Sequence, residues 1–237
     1  MHDRPFTTLP EDLLLLCADP QSGVLERPQH FNRALGGAVL TELLLRGAIA
    51  VDDKRITEVR PLALGEPVAD RADRVLVELS GTGKQERRLR LEGWVRYASG
   101  GLDNLCLKAL ASRGLVRAQR KRALGIIPYT TWTTVQPGWT KDLAVRIDRV
   151  VRPEAYEPAS RPPDPRDVHL AALVGTIHEL FWRIYPHRDQ HDTRCRIMKL
   201  TRATPIANAA RKVIESDESA GGGGYGGDGG GDGGGGD

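Results

Sequence analysis

The distribution of apolar positions divides the chain into helical blocks punctuated by glycine and proline. Leu35, Val39 and Leu43 recur at i, i+4, with Leu40 and Leu44 on the neighbouring stripe. Between Leu35 and Leu45 only Thr41 and Glu42 are polar, and a helix apolar nearly all round is a buried one. This block is predicted to run from Pro28, suited to a first helical turn, to Arg46, with Gly47 as its stop. It belongs at the centre of the fold. Its Gly36-Gly37 pair costs roughly 1 kcal/mol per glycine in helix propensity, and close helix packing is the reading taken for it. Ahead of it, Thr8-Leu9-Pro10-Glu11 has the form of a capping box opening a short helix to about residue 18. A turn follows over 19–23.

After Gly47, residues 48–51 and 55–59 read as two short strands joined by Asp52-Asp53-Lys54. The same unit recurs. Residues 102–113 are predicted helical, with Leu102, Cys106 and Leu110 on one stripe and Gly114 as the stop. Leu115-Val116 then enters a basic turn (Arg117, Arg120, Lys121, Arg122), and 123–127 returns. Helix, glycine stop and hairpin, twice, is the main organisational signal.

Between the units, 74–79 fits a strand or a helix, 80–83 is a loop, and a helix around Trp94 ends near Ser99-Gly100-Gly101. Further on, 141–151 is helical, 157–165 is a proline-rich linker, 167–185 is one amphipathic helix and 206–214 is a last helix. The expected fold class is mainly α: a single helical domain over 1–217 with short β-hairpins, and a disordered Gly/Asp tail over 218–237.

Composition sharpens the picture at the C-terminus. Of 27 glycines, 13 lie in the last 17 residues, with Tyr225 as the one bulky side chain. Such a segment cannot bury enough apolar area to offset its chain entropy. The whole chain carries a net charge of +3. The tail holds Asp228, Asp232 and Asp237 but no cation, so the rest has 34 cations against 28 carboxylates, an excess of six. No apolar run reaches the roughly 18 residues needed to span a bilayer. No cationic segment leads into a long apolar one at the start of the chain, so no signal peptide is expected. The three cysteines, Cys17, Cys106 and Cys195, are far apart, which encodes neither a disulfide framework nor a paired-cysteine metal site. The expected location is cytoplasmic.

Candidate chemistry is sparse. Gly81-Thr82-Gly83-Lys84 lacks the first glycine and the Ser/Thr of a phosphate loop. His187, His191 and Cys195 are spaced i, i+4, i+8 and would share one helix face fit for Zn²⁺. Pro186 and dense flanking charge favour a solvated connection there, so no metal, cofactor or catalytic residue is assigned. The basic residues Arg117, Arg120, Lys121 and Arg122, with Trp132 and Trp139 downstream, suit an anionic surface, since tryptophan favours the lipid–water boundary.

Six segments then occur in a telling order: LPEDLLLLCADPQSGVL (9–25), ALGGAVLTELLLRGAIAV (34–51), LEGWVRYASG (91–100), LKALASRGLV (107–116), RALGIIPYTTW (122–132) and TPIANAARKVI (204–214). In order and spacing the chain resembles the Golgi phosphoprotein 3 family, its prokaryotic members in particular. The resemblance implies a mostly helical domain and a non-enzymatic peripheral membrane protein that binds phosphatidylinositol 4-phosphate. Eukaryotic members act as adaptors, bridging glycosyltransferase clients to coat proteins. It further implies that the hairpin, here 115–127, serves membrane contact and self-association, which makes a homo-oligomer an expected state. The family's four headgroup-contact positions fall on Arg27, Gly36, Gly100 and Asp103, and none carries the family's residue. Arg27 and Arg33 are the expected replacement cations.

The resulting expectation is an adaptor that binds anionic lipid through Arg27, Arg33 and the basic hairpin. A second reading is a winged-helix-like nucleic-acid-binding protein with 117–122 as the wing. It ranks lower because helices 28–46 and 102–113 are mostly apolar, whereas a recognition helix presents polar side chains to the groove.

Overall fold

The computed structural model describes residues 6–60, 62, 65, 67–81, 89–98, 100–123, 126–156, 162–186 and 191–221. The proposed tail from 222 onward, Thr82–Lys84 of the glycine loop, and His187 lie outside them.

The capping box is present. Thr8 precedes α1 (Leu9–Leu15), and the Glu11 carboxylate accepts the Thr8 N–H at 2.8 Å. Helix α2 (Phe31–Leu45) is central, touching α1 and five later helices. Leu35, Val39, Leu40 and Leu43 are fully buried on it, each contributing roughly 1.5–3 kcal/mol of apolar transfer. It begins at Phe31, three residues after the expected start. His30 sits in the left-handed region at φ 58°, which breaks helical continuity, and Pro28 instead opens a turn closed by Phe31 N–H to Pro28 C=O. Gly37 of the pair packs closely: a Cβ there would lie 3.3 Å from Ala210 Cβ and 3.2 Å from Leu173 Cδ2.

Both helix–glycine–hairpin units are present and close identically. After α2, Ala48 N–H reaches back to Leu43 C=O at 2.9 Å. After α5 (Leu102–Ser112), Leu115 N–H reaches Leu110 C=O at the same distance. Gly47 (φ +72°) and Gly114 (φ +71°) supply the left-handed residue that this closure requires. Strands β1 (Ile49–Asp52) and β2 (Arg55–Val59) form the first antiparallel hairpin. Strands β3 (Val116–Ala123) and β4 (Ile127–Thr134) form the second. The two hairpins are separate sheets.

Between the units, α3 (Pro67–Gly81) resolves the open segment as helix and takes in Ser80 and Gly81, expected in a loop. Helix α4 (Leu91–Ala98) carries Trp94. Helix α6 (Gly138–Val151) starts three residues earlier than expected, and one 3₁₀ turn follows at Pro153–Ala155.

The single helix expected over 167–185 is two, α7 (Pro165–Val174) and α8 (His178–Ile184). Gly175 lies between them at a close approach: a Cβ there would collide with the Thr201 hydroxyl and the Ile197 methyl. Those two residues belong to α9 (His191–Ala203), where a solvated connection was expected. Its buried positions, Thr193, Ile197 and Thr201, are mostly polar in type, which hides the stripe from a hydrophobicity reading. Thr201 Oγ1 hydrogen-bonds Ala172 C=O at 2.8 Å and its own Ile197 C=O at 2.9 Å. Helix α10 (Pro205–Gly221) outruns the expected 206–214 at both ends and passes the 217 domain boundary. Glu215 to Ser219 extend it beyond the point where the apolar pattern stops, and all but Asp217 are exposed.

Candidate functional site

The β3–β4 hairpin is an arm. Residues 117–122 are all exposed, as are 128–130 on the returning strand, so neither face of its outer half is packed. Arg117, Arg120, Lys121 and Arg122 lie along β3, paired with Thr133, Thr130, Tyr129 and Pro128. This corrects the expected turn. Four cations in six residues resemble a solvated turn, but a strand solvated on both faces needs no apolar alternation. The pleat puts Arg117 and Lys121 on one face, Arg120 and Arg122 on the other. None of the four has a carboxylate partner among the described residues. At the turn, Ile126 is 81% exposed, and Tyr129 on β4 is 45% exposed.

The base of the arm is anchored. Val116 and Thr134 are buried, and Trp132 packs against the core. Residues 23–25 form an isolated antiparallel bridge to β4: Leu25 N–H donates to Trp132 C=O at 2.8 Å, and Thr134 N–H to Gly23 C=O at 2.9 Å. Gly23 is at φ +69°, and a Cβ there would sit 3.0 Å from Thr134 Oγ1. The arm is thus hydrogen-bonded to the body at its base and exposed over 117–122 and 128–130.

The headgroup positions lie elsewhere, around the starts of α2 and α5. Arg27 Nη1 forms an ion pair with Asp103 Oδ2, which brings the first and last of the four positions into contact. Gly36 is buried within α2, and Gly100 is exposed. Arg33 does not join Arg27. Its Nε donates to Asp217 Oδ2 on α10 at 2.8 Å, and its Nη1 to Arg96 C=O at 2.9 Å. Arg96 Nη1 holds the other Asp217 oxygen at 2.8 Å. Burial works to raise the Asp217 carboxyl, but the Arg33 and Arg96 guanidiniums overcome it and hold it below the usual range.

A larger charge cluster escaped the sequence reading. Glu11, Asp12 and Glu42 are buried, and arginines from three other segments, together with Arg46 at the end of α2 itself, meet them. Arg113 pairs with Glu11, Arg146 with Asp12 and Asp167, and Arg166 and Arg46 with Glu42. Glu42 Oε2 also accepts the Leu9 N–H at 2.8 Å. The signal was present in the polar Glu42 of an otherwise apolar helix, and in the capping-box Glu11. Every carboxylate oxygen of Glu42 is taken by donors, which makes the cluster a brace joining α1 and α2 to α5, α6 and α7.

Of the metal candidates, His191 and Cys195 share a face of α9, with Nε2 3.6 Å from Sγ. Among the described residues no group of three or more His, Cys, Asp or Glu is placed to hold a metal ion. No helix among them is long and apolar enough to cross a membrane.

Comparison with known proteins bears on what the arm serves. The family profile described as Golgi phosphoprotein 3 (GPP34) matches residues 9–216. Comparison with curated proteins gives no match.

Proposed function

The chain belongs to the Golgi phosphoprotein 3 family, and on that premise we propose that it is a non-enzymatic peripheral membrane adaptor that binds anionic lipid through the β3–β4 arm. The observation that carries this reading is the arm itself. It presents Arg117, Arg120, Lys121 and Arg122 without carboxylate partners among the described residues, behind an apolar tip at Ile126. A cation near an anionic bilayer contributes roughly 1 kcal/mol, and the tip side chains suit the lipid–water boundary. A projecting strand pair is equally a surface for a second copy of the chain, so self-association through 115–127 belongs to the same reading.

A phosphoinositide headgroup such as phosphatidylinositol 4-phosphate is the proposed ligand of the second contact, at Arg27 and Arg33. Asp103 and Asp217 already neutralise those arginines. Phosphate would have to compete with both carboxylates, so the arm dominates affinity and the arginine pair adds selectivity. The nucleic-acid reading has less support: α2 is buried on nearly every side, which leaves it no face for a groove.

Liposome co-sedimentation tests the proposal. Pelleting should be stronger with phosphatidylglycerol than with phosphatidylcholine vesicles at low salt, and should fall as salt rises. Equal pelleting with both vesicles refutes it. Phosphatidylinositol 4-phosphate vesicles, matched in charge to phosphatidylglycerol, test the selectivity of Arg27 and Arg33.

A further inference from the structure

A cavity of about 250 Å³ opens between α3, α4 and the turn into α5. Ala72, Val75, Trp94, Tyr97 and Leu102 wall it, Gly100 is at its edge, and Arg71 is its one charged lining residue. Arg71 is exposed and has no carboxylate partner among the described residues. Trp94 is 1% exposed, with no acceptor for its indole N–H among the described residues. Tyr97 lies against Trp94 with ring centroids 6.5 Å apart and remains 47% exposed.

Two features therefore coincide: an apolar hollow and a lone cation with no acid among its described lining residues. An apolar chain fills such a hollow, and an anion pairs with the arginine. The volume falls just under the range of pockets for drug-sized ligands, which suits one hydrocarbon chain rather than a large ring system. We propose that the cavity takes the apolar tail of an amphipathic anion, either a medium-chain fatty acid or one acyl chain of an anionic lipid, with its head group at Arg71. This goes beyond the arm's contact with a lipid surface and does not depend on it.

The test uses the full chain and tryptophan fluorescence, with decanoate carrying a terminal bromine as quencher. Saturable quenching is expected. Arg71→Glu should weaken it about tenfold. Gly100→Leu should abolish it by filling the mouth; nothing lies within 4 Å of a Cβ there, so the variant has room to fold. Trp94→Phe should remove the quenched component, and Arg120→Glu with Arg122→Glu should leave it unchanged. Decanol, which has no anionic head, should bind more weakly. Phosphatidylglycerol vesicles with brominated chains distinguish the source. Quenching by free acid and vesicle alike identifies an acyl chain that the protein draws from a bilayer. Quenching by the free acid alone identifies a free fatty acid. Absence of saturable quenching by the free acid, or its survival in folded Gly100→Leu, overturns the proposal, and decanol binding as tightly as decanoate overturns its anionic part. Vesicle pelleting reports the arm and free-acid quenching reports the cavity, so each reading can fail alone.

Discussion

At the scale of single residues, Glu42 is the most tightly held charge. It is fully buried and takes hydrogen bonds from Arg166 at 2.8 Å, Leu9 N–H at 2.8 Å and Arg46 at 2.6 Å. Burial pushes its carboxyl up, but these donors outweigh it and hold it below the ordinary value of 4.5. Because its folded value is depressed, its contribution is fully present above 4.5 and is lost as pH falls through the folded value. Asp148 and Asp217 are lowered in the same way, despite burial, by Arg152 with Tyr156 and by Arg33 with Arg96. Burial lowers His169 below 6.5, so protonation there also favours the unfolded chain as pH drops. Thermal denaturation should therefore show Tm falling steadily below about pH 6, with the steepest loss below the ordinary carboxylate range. Glu42→Gln leaves two arginines facing a neutral amide, and removing one partner of a buried pair costs about 3 kcal/mol. At this chain length that lowers Tm by roughly 6–12 °C. Gly175→Ala forces a Cβ into Thr201 and Ile197, and overpacking of this kind costs roughly 1–3 kcal/mol, read as a lower midpoint in urea. Of these residues, Glu42 and Glu11 were visible as polar positions in apolar or capped helices. Their arginine partners were not, because Arg113, Arg146 and Arg166 are distant in sequence and look like ordinary surface cations.

At the scale of elements, the arm and α9 teach opposite lessons. The arm's existence was legible from the Gly114 stop, which repeats the Gly47 stop after α2. Its length was not, since a doubly solvated strand has no hydrophobic period. Its predicted behaviour separates stability from binding. Arg120→Glu with Arg122→Glu should cut pelleting with anionic vesicles several-fold at low salt while leaving Tm unchanged, because both side chains are exposed and make no ion pair among the described residues. A fall in Tm with unchanged pelleting would assign the arm to folding instead. Helix α9 was missed because its inward stripe is threonine, isoleucine and threonine. Threonine can satisfy its hydroxyl on a carbonyl of its own helix, and Thr201 reaches Ala172 C=O on α7 as well, so a polar residue type is buried there and hydrophobicity alone overlooks it.

At the scale of the whole molecule, the charge balance governs encounter with a surface. Deleting residues 222–237 removes three carboxylates and no cation, which takes the net charge from +3 to +6. Binding to anionic vesicles at low salt should strengthen, and the gain should disappear at high salt as the charges are screened. Extending the deletion to 217–237 also removes Asp217, leaving Arg33 and Arg96 without their shared carboxylate; Tm should then fall, which the shorter deletion does not cause. Sequence alone determined the helical class, the central α2, the two glycine-stopped hairpins and the family, because periodicity, left-handed glycines and the order of short segments are local properties. Only tertiary structure decided which charges remain available. Arg27 and Arg33 look like free cations in the chain, but Asp103 lies 76 positions from Arg27 and Asp217 lies 184 from Arg33, and folding brings each pair together. The arm's arginines have no carboxylate partner among the described residues because the hairpin carries them away from the body. Pairing across such separations depends on how helices pack, and helix packing is not written in any local pattern.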